Sequence, residues 1–342
     1  MINVISKVKV GIIGMGRIGK IHAENILKEI PEAEVVSIAD IEVNKAKELA
    51  SKWDIKKIFA DPREIINDPK IDAVVICAPT NTHSDLIIES AKAGKHIFCE
   101  KPIDFDLNRI KTALKVVEEA GVKLQIGFNR RFDHNFKKIH QLVESDQLGN
   151  VHIINITSRD PDLPSMEYLR SSGGIFMDMT IHDFDMARYL ANDEVEEIYA
   201  AGSVLIDPKV KEIGDYDTAI SILKFKNGAT CIIDNSRKAV YGYDQRIEVF
   251  GSKGSATAYN DTPTNVIVSK ENAVCMDKPL YFFLERYKES FVQEMKDFIN
   301  CVIRDEKPIV SGIDGFKAAL IASFALKSAK ERKPIKITDE SI

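Results

Sequence analysis

Two short segments carry residue types suited to moving a proton. In Gly173-Gly-Ile-Phe-Met-Asp178-Met-Thr-Ile-His182-Asp, an acid and a histidine stand four residues apart. On a helix that spacing puts both side chains on one face. An imidazole titrating near ~6.5 is suited to take a proton from a hydroxyl, while the carboxylate orients it or binds a neighbouring hydroxyl. The same spacing also serves a surface ion pair or part of a metal site, although no third ligand stands at metal spacing, so no metal is expected. The second segment is Glu100-Lys101-Pro102, directly after the apolar run His96–Cys99. A lysine held there by a proline could donate a hydrogen bond to a reacting oxygen, or simply precede a surface turn.

A third segment suits a phosphate. Val8–Ile13 is an apolar run that meets Gly14, Gly16 and Gly19 in G-x-G-x-x-G spacing, with a helical pattern beyond. Such glycines allow a tight turn, a close approach of backbone to a pyrophosphate, and close packing of helix on strand. The helix N-terminus, through Arg17 and Ile18, then offers N–H groups to that pyrophosphate. Asp40 closes the next apolar run, twenty-one residues after Gly19, where a carboxylate would accept from an adenosine ribose diol. Ile41 follows it rather than an arginine, so a 2′-phosphate would meet a negative charge and nothing to balance it. The pattern predicts NAD in preference to NADP.

The elements that must position these groups follow from the periodicity. Up to about Gly127 short apolar runs alternate with helical patterns: Val8–Ile13, Ala33–Ala39, Lys57–Phe59, Ala73–Ala78, His96–Cys99 and Lys123–Gly127. Alternation of this kind predicts an α/β doubly wound parallel sheet over residues 1–127, with reactive ligands at the carboxyl ends of its strands. Ala78-Pro79-Thr80-Asn81-Thr-His83 and Glu100-Lys101-Pro102 both fall at such ends. From about Val151 the texture changes to successive strands: Val151–Ser158, Val195–Leu205, Thr218–Phe225, Thr230–Ser236, Gln245–Gly251 and Ser255–Tyr259. Asn227-Gly228 signals a hairpin between two of them. Residues 128–342 are therefore expected to form a second α/β domain with a large, mostly antiparallel open sheet. Its expected helices are Gly174–Leu190, Tyr281–Arg304 and Asp314–Arg332, and its last segment is a candidate to return to the first domain.

Composition narrows the class further. The 342 residues are 44% hydrophobic and 29% charged, enough for two globular domains. A net charge of −5 offers nothing to nucleic acid phosphates or to an anionic membrane surface, and no apolar run approaches a membrane span. The first strand begins within about eight residues, leaving no room for a signal peptide. Five scattered cysteines, none in C-x-x-C spacing, fit reduced thiols and a cytoplasmic protein.

The chain resembles the glucose–fructose oxidoreductase/inositol dehydrogenase (Gfo/Idh/MocA) family, and within it the bacterial inositol 2-dehydrogenases. The resemblance runs along essentially the whole chain. It rests on GIIGMGRIG at Gly11–Gly19, CEKP at Cys99–Pro102, IGFNRRFD at Ile126–Asp133, the segment Ser172–Leu190, YGYDQR at Tyr241–Arg246 and FFLERY at Phe282–Tyr287. It implies NAD-dependent oxidation of a cyclic polyol, myo-inositol before others, with Lys101, Asp178 and His182 as the catalytic triad. Arg131 and Tyr241 are implied near the polyol, although Arg131 could equally be a salt-bridge residue and Tyr241 a packing residue. The loop Pro79–His83 is implied beside the nicotinamide ribose, with Glu100 and Lys101 near the cofactor. Asp160 and Asn155 are further polar candidates by position alone. The resemblance also implies homotetramers built through the second sheet. Scyllo-inositol, chiro-inositol and glucose remain alternative substrates, and a non-catalytic NAD-binding sensor is the alternative of another class.

Overall fold

The computed structural model describes residues 7–338. Six parallel strands form the first sheet: β1 (Val8–Ile13), β2 (Ala33–Ala39), β3 (Lys57–Phe59), β4 (Ala73–Ile76), β5 (His96–Cys99) and β6 (Leu124–Ile126). Their order across the sheet is β3-β2-β1-β4-β5-β6, the doubly wound order anticipated from the alternation. The strands are apolar on both faces because helices cover both; Ile12, Val74, Val75, Ile76, Phe98 and Ile126 are fully buried. Compactness groups the chain up to Asn129 with Glu289–Ala319, so Met295, Phe298 and Ile299 of the helix Lys288–Arg304 pack in the same core as β1 and β2.

Arg130–Lys288 and the chain from Leu320 form the other compact unit. Its sheet runs β12-β11-β7-β10-β9-β8-β15. The strands are β7 (Val151–Arg159), β8 (Val195–Ser203), β9 (Thr218–Phe225), β10 (Thr230–Ser236), β11 (Asp244–Gly251), β12 (Gly254–Ala258) and β15 (Ile335–Lys336). Among these only β7 and β10 pair in parallel; the others are antiparallel, and β9 and β10 meet at the Asn227-Gly228 turn. A separate hairpin joins β13 (Ile267–Lys270) to β14 (Ala273–Met276), which the sequence pattern had not indicated. Strict alternation of burial along β9 leaves one face of the large sheet covered and the other open.

Two expected helices are each divided. Gly174–Leu190 is not one α-helix: Gly173 and Gly174 take positive φ (85° and 82°), Phe176–Thr180 is a wide π-turn, and the α-helix is Ile181–Ala191. The Thr180 hydroxyl lies 3.2 Å from the Ile175 carbonyl, five residues back, and 2.8 Å from the Asn235 side-chain oxygen, so it helps to satisfy the widened turn. Tyr281–Arg304 is broken into Phe283–Arg286 and Lys288–Arg304 at Tyr287, whose ring is buried against Phe136 and Tyr243.

Candidate active site

In the first unit the glycine turn follows β1. Gly14 has φ +94°, and a Cβ there would lie 2.6 Å from the Cys77 carbonyl; a Cβ on Gly19 would lie 1.9 Å from the Gly14 carbonyl oxygen. Neither position admits a side chain. Gly16 is different in kind: nothing stands within 4 Å of where its Cβ would be. It also begins the helix Arg17–Glu29 with no side-chain cap, so the first-turn N–H groups face an open approach suited to an anion. Asp40 lies beside this turn. Its Oδ2 accepts from the Met15 N–H at 2.6 Å and its Oδ1 from the Glu42 N–H at 2.7 Å. The residues thus fit a dinucleotide, with a fixed carboxylate at the turn.

The other two strand-end segments of this unit are joined internally. Pro79 precedes the helix Thr80–Lys92, and His83 in its first turn is buried, with Nδ1 2.8 Å from the Pro102 carbonyl and Nε2 2.7 Å from the Ala78 carbonyl. Glu100 turns inward to His22 Nε2 at 2.9 Å, over Gly127, where a Cβ would meet the Glu100 carboxyl at 2.9 Å. Glu294 lies fully buried beside them, its Oε1 4.0 Å from His22 Nε2. Burial, and then the charge of Glu100, push the Glu294 carboxyl well above the usual carboxylate range, in favour of its neutral form. The sequence reading missed His22 and Glu294. His22 follows Gly19 by three residues, and Glu294 is an acid among the apolar positions Phe291, Met295 and Phe298; those were the available signals.

In the second unit Asp178 sits on the π-turn and His182 in the first turn of the helix after it. Both Asp178 oxygens are engaged: Oδ1 accepts from the Tyr168 hydroxyl at 2.7 Å, Oδ2 from Arg237 Nη2 at 3.1 Å. Arg237 is 1% exposed and faces Asp160 and Asp215 as well. Asp160 is pushed up to about 6, chiefly by burial and further by Asp178, with Arg237 and Arg130 opposing. Tyr168 and Arg237 also went unnoticed in the sequence, because nothing local distinguishes Arg237 from its neighbour Lys238.

The remaining candidates separate. Arg131 makes a bidentate pair with Asp185 (2.8 and 2.6 Å), both side chains buried, and lies 5.0 Å over the Tyr189 ring. Arg130 pairs through Nη1 with Asp183 and through Nη2 lies 3.3 Å from the Ser158 hydroxyl, and Asn235 also donates to Asp183 at 2.8 Å. Tyr241 is 39% exposed; its hydroxyl donates to Asp244 at 2.6 Å and accepts from Arg159 at 3.0 Å. Asn155 lies in mid-strand of β7 with its amide on Glu248, on the face opposite Ser158. Among the described residues two clusters each bring three possible metal ligands within 4.8 Å of one another: His22, Glu100 and Glu294, and Asp133, His134 and Asp261. In the second, Arg286 already bonds both aspartates.

Comparison with known proteins now adds to this geometry. Residues 8–128 match the model of the oxidoreductase family with an NAD-binding Rossmann fold, and residues 136–257 match the Gfo/Idh/MocA C-terminal domain. The chain is 50% identical to the myo-inositol 2-dehydrogenase of Thermotoga maritima, over 97% of this chain and 99% of that one. The chain belongs to the Gfo/Idh/MocA oxidoreductase family. Another member, the inositol 2-dehydrogenase of Rhizobium meliloti, is 43% identical over 96% of this chain and 99% of that protein. A crystal structure of the scyllo-inositol dehydrogenase of Lactobacillus casei with bound NAD(H) and scyllo-inositol superposes with a TM-score of 0.91 at 28% identity, covering 97% and 99% of the two chains. This Gfo/Idh/MocA chain is an NAD-dependent oxidoreductase, and its first unit is the NAD-binding Rossmann domain.

Proposed function

We propose that the protein oxidises myo-inositol to 2-keto-myo-inositol. NAD, held at Gly14–Gly19 with Asp40 toward the adenosine ribose and Pro79–Asn81 toward the nicotinamide ribose, supplies the two-electron acceptor when bound. His182 takes the proton of the ring hydroxyl whose carbon is oxidised. Lys101 donates a hydrogen bond to the same oxygen and steadies the developing carbonyl. Asp178 holds His182 or the adjacent hydroxyl, and Asp160 and Tyr241 meet further hydroxyls. A neutral polyol needs donors and acceptors matched to its hydroxyls, and a misplaced hydroxyl leaves buried groups unpaired, so epimers are rejected.

The observation that carries this reading is the 50% identity with the Thermotoga maritima myo-inositol 2-dehydrogenase over 97% of this chain and 99% of that one. The scyllo-inositol-bound relative favours that isomer as the second reading. The test is NADH absorbance with NAD⁺ and, in parallel, myo-inositol, scyllo-inositol, chiro-inositol and glucose. Fastest turnover of myo-inositol is expected; faster turnover of another polyol moves the substrate, and none at all with NADH still bound leaves the sensor.

Two finer readings belong with it. The open face of the large sheet exposes Ile153, Tyr199, Ile220, Ile222, Ile232 and Phe250, an apolar surface that supports pairing of copies into a homotetramer. No helix of the described residues is long and apolar enough to cross a membrane, which is compatible with a cytoplasmic enzyme.

A further inference from the structure

We propose that His83 is a buried imidazolium whose two N–H groups staple the chain after β4 to the residue after Lys101, making it a positioning residue for that lysine. The proposal rests on reading Lys101 as the group that meets the substrate oxygen. Its own support is geometric. His83 is 1% exposed, and its two ring nitrogens lie 2.8 Å from the Pro102 carbonyl oxygen and 2.7 Å from the Ala78 carbonyl oxygen. A carbonyl oxygen only accepts. A neutral imidazole has one N–H and one lone pair, so either tautomer would leave a lone pair against a carbonyl lone pair at hydrogen-bond distance. The doubly protonated ring alone donates to both.

Burial is the largest single influence on the ring and holds it below the ordinary imidazole value, toward the neutral form; the two carbonyls act in the opposite sense, and their geometry, which only two N–H groups satisfy, is what weighs against burial. The charged groups that bear on His83, Glu100 and Asp104, also oppose burial. Asp104 is held in its ionised form by Arg109 and the Asp106 N–H. A cation here therefore has negative charge near it, and hydrogen bonds from a charged donor are the stronger kind. Mechanically, one ring ties Ala78, two residues past β4, to Pro102, and Ser84 in the same helical turn reaches the Ile103 carbonyl at 3.4 Å. The Lys101 main chain is thereby clamped from the side of the Pro79–Asn81 loop.

The experiment is nitrogen NMR of the full-length protein labelled with ¹⁵N in its histidine rings, with His83→Asn identifying the His83 signals. At pH 8 an ordinary histidine is neutral; His83 is expected to show two protonated ring nitrogens. One protonated and one bare nitrogen at that pH overturns the charge assignment. The staple is read separately by amide hydrogen exchange: His83→Asn, or His83→Gln should the first variant fold poorly, is expected to speed exchange in residues 100–104 at least about tenfold. Unchanged exchange in a folded variant overturns the positioning role. With polyol and NAD⁺ the same variants are expected to lose about tenfold or more in kcat while the polyol KM moves less, as misplacement of a reacting group requires. Should the unaltered protein turn over no polyol, the functional reading fails while the NMR and exchange still decide the state and role of His83.

Discussion

Asp40 and Asp178 are both aspartates with both oxygens engaged, yet they are held in opposite ways. Asp40 accepts from two main-chain N–H groups, Met15 and Glu42. Asp178 accepts from two side chains, Tyr168 and Arg237. The first unit builds its site from backbone, so its sensitive positions are glycines and strand ends. The site proposed in the second unit is built from long side chains, so its sensitivity would lie in charge pairs distant in sequence. A main-chain site tolerates side-chain exchange around it, whereas each member of a side-chain network answers for its neighbours.

Changes that break this contrast should differ in size and in kind. The largest is expected for Arg131→Met, which strands Asp185 in the interior; breaking one side of a buried pair costs about 3–5 kcal/mol, read as a fall in the urea midpoint. Should that midpoint hold while the polyol KM rises, Arg131 belongs to the substrate rather than to the core. His182→Ala should lower kcat by roughly a hundredfold or more with NADH affinity retained; near-full turnover at neutral pH would remove His182 as the base. Gly14→Ala meets both a left-handed φ and the Cys77 carbonyl, so a loss of about 1–3 kcal/mol is expected, together with weaker NADH binding in a fluorescence titration.

Asp160 sharpens the comparison through pH. Its native pKa, about 6, lies above the ~3.9 of an unfolded aspartate. The native state therefore binds the extra proton, and this contribution to stability is full below about pH 4 and lost as pH rises through 6. Relative to the unaltered protein, Asp160→Asn should gain on the order of 1–2 kcal/mol between pH 4 and pH 7, read by thermal unfolding at each pH. A difference independent of pH would mean that Asp160 stays ionised throughout. The smallest effect is expected from Asp40→Ala, a rise of about tenfold in the KM for NAD⁺, the worth of one charge-assisted hydrogen bond at about 1.5 kcal/mol; an unchanged constant would place the ribose elsewhere.

Legibility followed the same division. The glycine spacing, the acid at the end of β2 and the strand–helix alternation were readable because each is a rule about neighbours in sequence. The segment holding Asp178 and His182 was readable too, but its π-turn was not, since a regular apolar period hides one widened turn. Tyr287 broke an expected helix because burial of its ring outweighed the local helical pattern.

The sequence by itself determined the parallel, doubly wound character of the first sheet and the dinucleotide turn, because backbone sterics and hydrophobic period act over a few residues, and it marked Lys101, Asp178 and His182 as candidates. Only the tertiary structure decided what those groups lean on. Arg237 reaches Asp178 across 59 residues of chain, Asp185 takes the Arg131 guanidinium across 54, and Glu294 lies beside His22 although 272 positions separate them (294 − 22). Charge and burial act through space, and the upward shifts of Glu294 and Asp160 follow from the dielectric and the neighbours that folding assembles around them.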